Sequence, residues 1–255
     1  MNKFKPSILF AYPTVMQLLL PHIKSGNLKI DPDIIVLGGE TCFPELKEEL
    51  EENFTARILN AYACTEANMI TTQCSEGRLH INIDWVIIEA VDVNNNPVAK
   101  GVLSDKVLLT NLSNFLQPII RYELTDRIAI YDEPCKCGSV MPYLYVEGRS
   151  NDMLEFEGVE GLVEISPMAL GILGKVTGLI QYQIIQKSHN LMELRLKCQN
   201  GYDKAELFSQ ANEYFLEIFK NLGVENVEFL LSEDEPKTDP ISGKLKFVIK
   251  EMDLN

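Results

Sequence analysis

Short apolar runs alternate with amphipathic stretches along the first sixty residues. Residues 7–11 form a compact apolar run ending at Tyr12-Pro13, and residues 34–37 form a second, ending at Gly38-Gly39-Glu40. Between them Thr14 is placed to cap a helix running to about Leu20, and Pro44 opens an amphipathic helix to about Phe54. A third run, 57–61, leads into Tyr62-Ala63-Cys64-Thr65-Glu66. Strand, helix, strand, helix, strand predicts a parallel sheet with covering helices, whose ligands sit beyond the carboxyl ends of the strands. Residues 38–40 and 62–66 would then face one cleft.

The period shortens after Glu66. Residues 79–83, 85–91, 107–110, 119–122 and 128–131 read as short strands, with Asn94-Asn95-Asn96-Pro97 as a turn. This predicts a small antiparallel β-barrel. From residue 150 the pattern is mixed. Ser166-Pro167 caps a helix to about Gly174, strands 181–186 and 191–197 flank Ser188-His189-Asn190, a long amphipathic helix covers 204–222, and 227–231 is a further strand. The fold class is therefore α/β: a partial parallel sheet with helices plus the barrel, followed by a small α+β C-terminal domain. The expected boundaries are 1–148, with an α/β layer over 1–72 and a β-rich part over 73–148, and then 149–255.

Composition narrows the function classes. A chain of 255 residues, 46% hydrophobic, can bury a good core. The net charge of −14 argues against a nucleic-acid surface. The apolar stretch 8–20 is too short to span a bilayer and contains Pro13, and no secretory signal is present, so a cytoplasmic protein without a membrane partner is expected. The acidic run 45–52 reads as a solvated helix face. Six unevenly spaced cysteines form no disulfide framework; closely spaced ones point to metal.

Three stretches carry chemistry. Tyr62 offers a stacking face for a base, Thr65 a hydroxyl for a phosphate oxygen, and Glu66 a carboxylate for magnesium; the same residues also suit a polar turn. Asp126 at a strand end could accept from ribose hydroxyls or pair with Arg121 or Arg127. Cys135-Lys136-Cys137-Gly138 makes a tight knuckle, and Cys74 and His80 flank the turn Ser75-Glu76-Gly77-Arg78. Together Cys74, His80, Cys135 and Cys137 would make a Cys₃His zinc site; the alternative is three reduced, partly exposed thiols and a surface histidine. His22 and His189 read as surface or packing residues, and Cys42, Cys64 and Cys198 as core or near-core.

Asn60-Ala61-Tyr62-Ala63-Cys64-Thr65-Glu66 resembles the Tyr-Gly-x-Thr-Glu signature of the adenylate-forming enzymes, with Ala63 in place of glycine. Thr110-Asn111-Leu112, followed by Pro118-Ile119-Ile120-Arg121-Tyr122 and Asp126, resembles the phenylacetate–coenzyme A ligase branch, with Thr125 in place of the glycine before the aspartate. Gly148-Arg149-Ser150-Asn151-Asp152 is similar to the family's hinge segment, though Asn151 stands at the aspartate position. Ile241-Ser242-Gly243-Lys244-Leu245-Lys246 is similar to its terminal lysine loop; read alone it is also an ordinary flexible basic loop.

The resemblance implies an ATP-dependent carboxylate–coenzyme A ligase that forms an acyl-adenylate and then a thioester, using ATP, Mg²⁺ and coenzyme A on a small carboxylic acid. It implies adenine contacts at Ala61 and Tyr62, an adenine pocket lined by the backbone of Gly38, Gly39 and Glu40, and the α-phosphate at Thr65. It further implies magnesium at Glu66, ribose at Asp126, Arg149 near the nucleotide, and Lys244 as the adenylation lysine. Residues 149–255 would be a mobile unit. No Gly-rich phosphate loop precedes residue 60. The expectation is therefore the later portion of such an enzyme, with a partner chain or segment supplying the rest, or a shortened non-catalytic nucleotide-binding module; association, including as a homodimer, is compatible with either.

Overall fold

The computed structural model describes residues 2–40, 42–158, 161–172, 175–240 and 243–252. Its first layer is a three-stranded parallel sheet, β1 (Ile8–Ala11), β2 (Ile34–Gly38) and β3 (Arg57–Ala61), in that order. Helices α1 (Pro13–Lys24) and α2 (Pro44–Asn53) cross over on the same face, as right-handed connections require. Met16, Leu20, Leu46 and Leu50 pack there on Ile35, Leu37 and Ile58. Alternation sends Ile8 and Phe10 to the other face, where they are exposed. Thr14 does not cap α1: Pro13 occupies the first turn, Tyr12 is the N-cap, and the helix runs past Leu20.

The tight hairpin β4 (Ala63–Cys64) and β5 (Asn68–Met69) follows. Next come β6 (Thr71–Gln73), β7 (Leu79–Ile81), β8 (Val86–Val91), β9 (Lys106–Asn111), β10 (Tyr122–Leu124), β11 (Asp126–Tyr131) and β12 (Tyr143–Arg149). They form two sheets, β10-β9-β8 and β11-β12-β7-β6, sharing one core of Ile70, Val107, Leu109, Ile128 and Leu144. No closed barrel is formed among the described residues. The apolar run 119–122 is not a strand: Arg121 adopts φ +47°, its N–H donates to Thr110 Oγ1, and Asn111 N–H takes the Ile119 carbonyl, so pairing begins only at Tyr122. The turn at 94–97 forms as expected, with Asp92 accepting from the Asn94 and Asn96 N–H groups and Asn95 at φ +67°.

A short 3₁₀ turn, Ser150–Asp152, precedes the hairpin β13 (Leu154–Gly158) and β14 (Gly161–Ile165). Ser166 does cap the next segment, accepting from Met168 N–H, but only the 3₁₀ turn Pro167–Leu170 results; Leu173 and Gly174, the expected helix end, lie outside the described residues. Then come β15 (Leu179–Gln186), β16 (Leu191–Cys198), α3 (Lys204–Asn221), β17 (Glu228–Leu231) and β18 (Val248–Lys250), with sheet order β17-β16-β15-β18. Asp203 caps α3 by accepting from Ala205 and Glu206 N–H, and Phe215 and Phe219 pack under the sheet. Phe43, between β2 and α2, is buried in this C-terminal core, edge-on to Phe247 at 5.1 Å. Among the described residues, no helix is long and apolar enough to cross a membrane.

Candidate functional site

The parallel strands end side by side, Gly38 beside Ala61 in register. Gly39 has φ +79°, and a Cβ there would meet the Tyr12 ring at 2.7 Å and Lys244 Nζ at 3.5 Å. The positive φ and the close Tyr12 ring both call for glycine here, while Lys244 Nζ lies at ordinary contact distance. Lys244 Nζ stands 5.5 Å from the Tyr12 ring centroid, within cation–π range. Lys244 is delivered by a hairpin-like loop in which Thr238 bridges Leu245, Asp239 N–H donates to the Lys244 carbonyl, and Gly243 takes φ +69°. Ile241 and Ser242 of that segment lie outside the described residues.

Glu40 joins these pieces through its side chain as well. Its Oε2 accepts from the Thr14 N–H at 3.1 Å and the Thr14 hydroxyl at 2.7 Å, placing a carboxylate on the N-terminus of α1. Its Oε1 accepts from the Leu245 N–H at 3.2 Å. Sequence reasoning had considered only its backbone and had missed Tyr12. The signal for Tyr12 was available, since it follows β1 at the same end of the sheet.

Tyr62 and Asp126 are in direct contact. Tyr62 is held by its backbone: its N–H donates to Thr71 Oγ1, and its carbonyl accepts from Ile70 and Thr71. Its ring packs against the β-rich core, and its hydroxyl donates to Asp126 Oδ2 at 3.0 Å. Arg149, paired in register with Asp126, brings Nε to 3.7 Å from Oδ1. Arg121 and Arg127 are engaged elsewhere, with Glu89 and with Glu147 and Glu164. Burial raises the Asp126 pKa, while the Tyr62 hydrogen bond and the Arg149 charge pull it down. Burial, then the Asp126 charge, pushes the Tyr62 phenol far above its ordinary value.

Thr65 and Glu66 occupy the turn between β4 and β5, Thr65 exposed and Glu66 half-buried. Asn111 Nδ2 donates to the Glu66 carbonyl at 2.8 Å, while its Oδ1 gathers Ser113 and Asn114. The Glu66 carboxylate lies beside the Tyr122 hydroxyl and raises its pKa. This is a hard oxygen donor of the kind magnesium takes. Ala63 sits in β4 and is not at positive φ, so alanine for glycine is without backbone strain there. Ser150 N–H and hydroxyl both donate to the Thr125 carbonyl, tying the turn after Arg149 to the segment before Asp126. Lys246 Nζ lies 3.5 Å from Asp152 Oδ1.

Cys74, His80, Cys135 and Cys137 come together, their ligand atoms all within 4.8 Å of one another. Cys74 and Cys135 Sγ are 3.9 Å apart, and Cys137 Sγ is 3.4 Å from His80 Nε2. His22 is exposed, and His189 bonds the Glu155 carbonyl.

Residues 1–102 match the family described as AMP-binding enzyme. The chain is 24% identical over 221 residues to Protein CapK of Staphylococcus aureus, covering 82% of this chain and 46% of that protein. It is 24% identical over 232 residues to the phenylacetate-coenzyme A ligase of Thermus thermophilus, covering 87% of this chain and 48% of that one. The chain thus spans about half the length of the curated relatives it matches. Among solved structures, 2-hydroxyisobutyryl-CoA ligase in its postadenylation state, in complex with R3-HIB-AMP, matches with TM-score 0.75 at 20% identity, over 98% of this chain and 56% of that one. The same ligase in its thioesterification state, with 2-HIB-AMP and CoA, matches at 0.54 and 19% identity, over 98% and 55%. Residues 1–102 thus match the AMP-binding enzyme family, and over most of its length the chain is similar to CapK and to a phenylacetate-coenzyme A ligase, with the fold of an acyl-CoA ligase.

Proposed function

We propose that this chain is the nucleotide-binding and lysine-bearing part of an AMP-forming carboxylate–coenzyme A ligase. In the first step a carboxylate oxygen attacks the α-phosphorus of ATP, the bond to pyrophosphate breaks, and an acyl-adenylate forms. In the second the sulfur of coenzyme A attacks the acyl carbon, the bond to AMP breaks, and the thiol proton passes to solvent. The observation that carries this reading is the convergence of two groups beyond the parallel strands: Tyr62, Asp126 and Arg149 on one side, Gly39 and Lys244 on the other.

Each residue then has a task. Tyr62 and Ala61 take the base, and Gly38, Gly39 and Glu40 line its pocket. Asp126 accepts from ribose hydroxyls with the lone pairs that Tyr62 and Arg149 leave. Thr65 contacts the α-phosphate, and Glu66 holds the magnesium, which when bound neutralises phosphate charge. Lys244 meets the charge that builds at the α-phosphate in the transition state. Residues 149–255 turn about Arg149–Asp152 between the two steps. The better match to the postadenylation state supports the arrangement described here as the adenylation-side one. ATP and coenzyme A fit a cytoplasmic setting and a small carboxylic acid as substrate.

A second reading is favoured by the open sheet face, where Ile8 is 63% and Phe10 57% exposed. In it the chain binds nucleotide but turns over only when a further chain or segment covers that face.

Thermal unfolding with magnesium and AMP or ATP tests the first reading. Ligand at a hundredfold excess over Kd adds about 2.7 kcal/mol to a folded state that alone binds it. A rise with AMP that Asp126→Ala abolishes is expected. No rise with either nucleotide overturns nucleotide binding by this chain alone, whereas a rise without acid-dependent pyrophosphate exchange favours the second reading.

A further inference from the structure

The β-rich part carries a second site that the ligase reading does not use. We infer that Cys74, His80, Cys135 and Cys137 bind one zinc ion as a closed, structural Cys₃His centre. Zinc sits about 2.3 Å from thiolate sulfur and about 2.0–2.1 Å from imidazole nitrogen, so a tetrahedral site separates two sulfurs by about 3.8 Å and a sulfur from a nitrogen by about 3.6 Å. The pairs here stand at 3.9 Å for Cys74 and Cys135 and 3.4 Å for Cys137 and His80. All four ligand atoms lie within 4.8 Å of one another. Four protein ligands fill a tetrahedron and leave no open position for a substrate.

The surroundings are built for the same end. His80 is buried, and its Nδ1 bonds the Met141 carbonyl at 2.8 Å. That contact fixes the ring and leaves Nε2 turned toward the sulfurs, the usual outer-shell support of a metal-bound histidine. Ser139 N–H donates to Cys137 Sγ. Each ligand pair is held by a glycine turn: Gly77 at φ +75°, between Cys74 and His80, donates its N–H to the Cys74 carbonyl, and Gly138 at φ +86°, just after Cys137, donates to the Cys135 carbonyl. Thiolate ligands select zinc over magnesium or calcium.

The topology says what the ion does. Cys74 and His80 lie on the β6–β7 hairpin, and Cys135 and Cys137 lie in the long loop between β11 and β12. Asp126 and Arg149 close the opposite end of the β11–β12 pair. Six residues of β11 separate the ends, roughly 17–20 Å. The ion therefore staples two hairpins at the end remote from the nucleotide cleft, without entering the ligase chemistry.

The test is elemental analysis of the full chain, purified from zinc-supplemented culture without chelator. One zinc per chain is expected, lost in Cys137→Ser and kept in Cys198→Ser, together with a fall in Tm of roughly 5 °C or more on chelation. Should Cys137→Ser not fold, cobalt exchanged into the wild-type chain decides: intense visible bands of a tetrahedral thiolate site are expected. A chain with no bound zinc, or one carrying iron instead, overturns the assignment. AMP binding is read separately and is expected to survive partial zinc loss.

Discussion

The Glu40 carboxylate accepts a hydrogen bond from the Leu245 N–H, 205 residues away in the chain, while its other oxygen holds the Thr14 end of α1. One side chain thereby caps a helix and tethers the loop that presents Lys244. Glu40→Ala is expected to lower stability by about 1–2 kcal/mol, the range for losing a helix cap. It should also loosen the loop 236–246, read as faster proteolysis after Lys237 and Lys244. A stability loss with no change in loop cleavage would separate the cap from the tether.

In the proposed function, Asp126 would set an acid limit on nucleotide binding. Burial raises its folded-state pKa above the unfolded value. The folded chain therefore holds this proton more tightly, and the ionised form lowers stability at neutral pH. As pH falls through the raised pKa, this group alone adds stability while losing its acceptor charge. The AMP-induced Tm shift should thus fade at a higher pH than an ordinary aspartate would dictate. Tyr62→Phe removes a hydrogen bond that favours the charged form, so the fade should move to still higher pH, with AMP bound about tenfold more weakly at neutral pH. Asp126→Asn should erase the pH dependence in that window.

Gly39 and Tyr12 compete for the same space. Gly39→Ala places a Cβ 2.7 Å from the Tyr12 ring and an alanine at φ +79°. A loss of more than about 1 kcal/mol is expected. Adding Tyr12→Ser should recover the steric share and leave the backbone share, so the two changes will not be additive in a thermal double-mutant cycle.

Lys244 should matter to one half-reaction. In an assembly that turns over, Lys244→Ala is expected to cut acid-dependent pyrophosphate exchange about a hundredfold or more. Thioester formation from supplied acyl-adenylate should stay within a few-fold. Equal loss in both steps would remove Lys244 from the adenylation role.

The parallel layer was legible because β1 and β2 are unbroken apolar runs closed by a proline turn or by glycines, and β3 repeats the pattern around Ile58-Leu59; the expected cleft followed from where those runs end. The strands Tyr143–Arg149 and Leu154–Gly158 were not legible: Glu147, Arg149, Glu155 and Glu157 break their apolar signal on the solvent side. The run 119–122 misled because apolar content is blind to the left-handed turn at Arg121. The Cys and His residues declared themselves by chemistry, though only the folded hairpins bring them within reach. The side-chain role of Glu40 had no local signal at all, since its partner lies at the far end of the chain.

Phe43 bears on the order of events in the proposed cycle. Its ring belongs to the core of the C-terminal part although its backbone belongs to the first layer. Any rotation that parts the two must bring that ring into water or into a new pocket, at about 1.5–3 kcal/mol if it is left exposed. In the proposed cycle that would bias the resting ensemble by roughly tenfold to a hundredfold toward the Lys244-in arrangement before any substrate arrives. The acid and ATP would meet a lysine already in position, and the thiol step would depend on coenzyme A finding enough contacts in the turned arrangement to offset the unplugged ring.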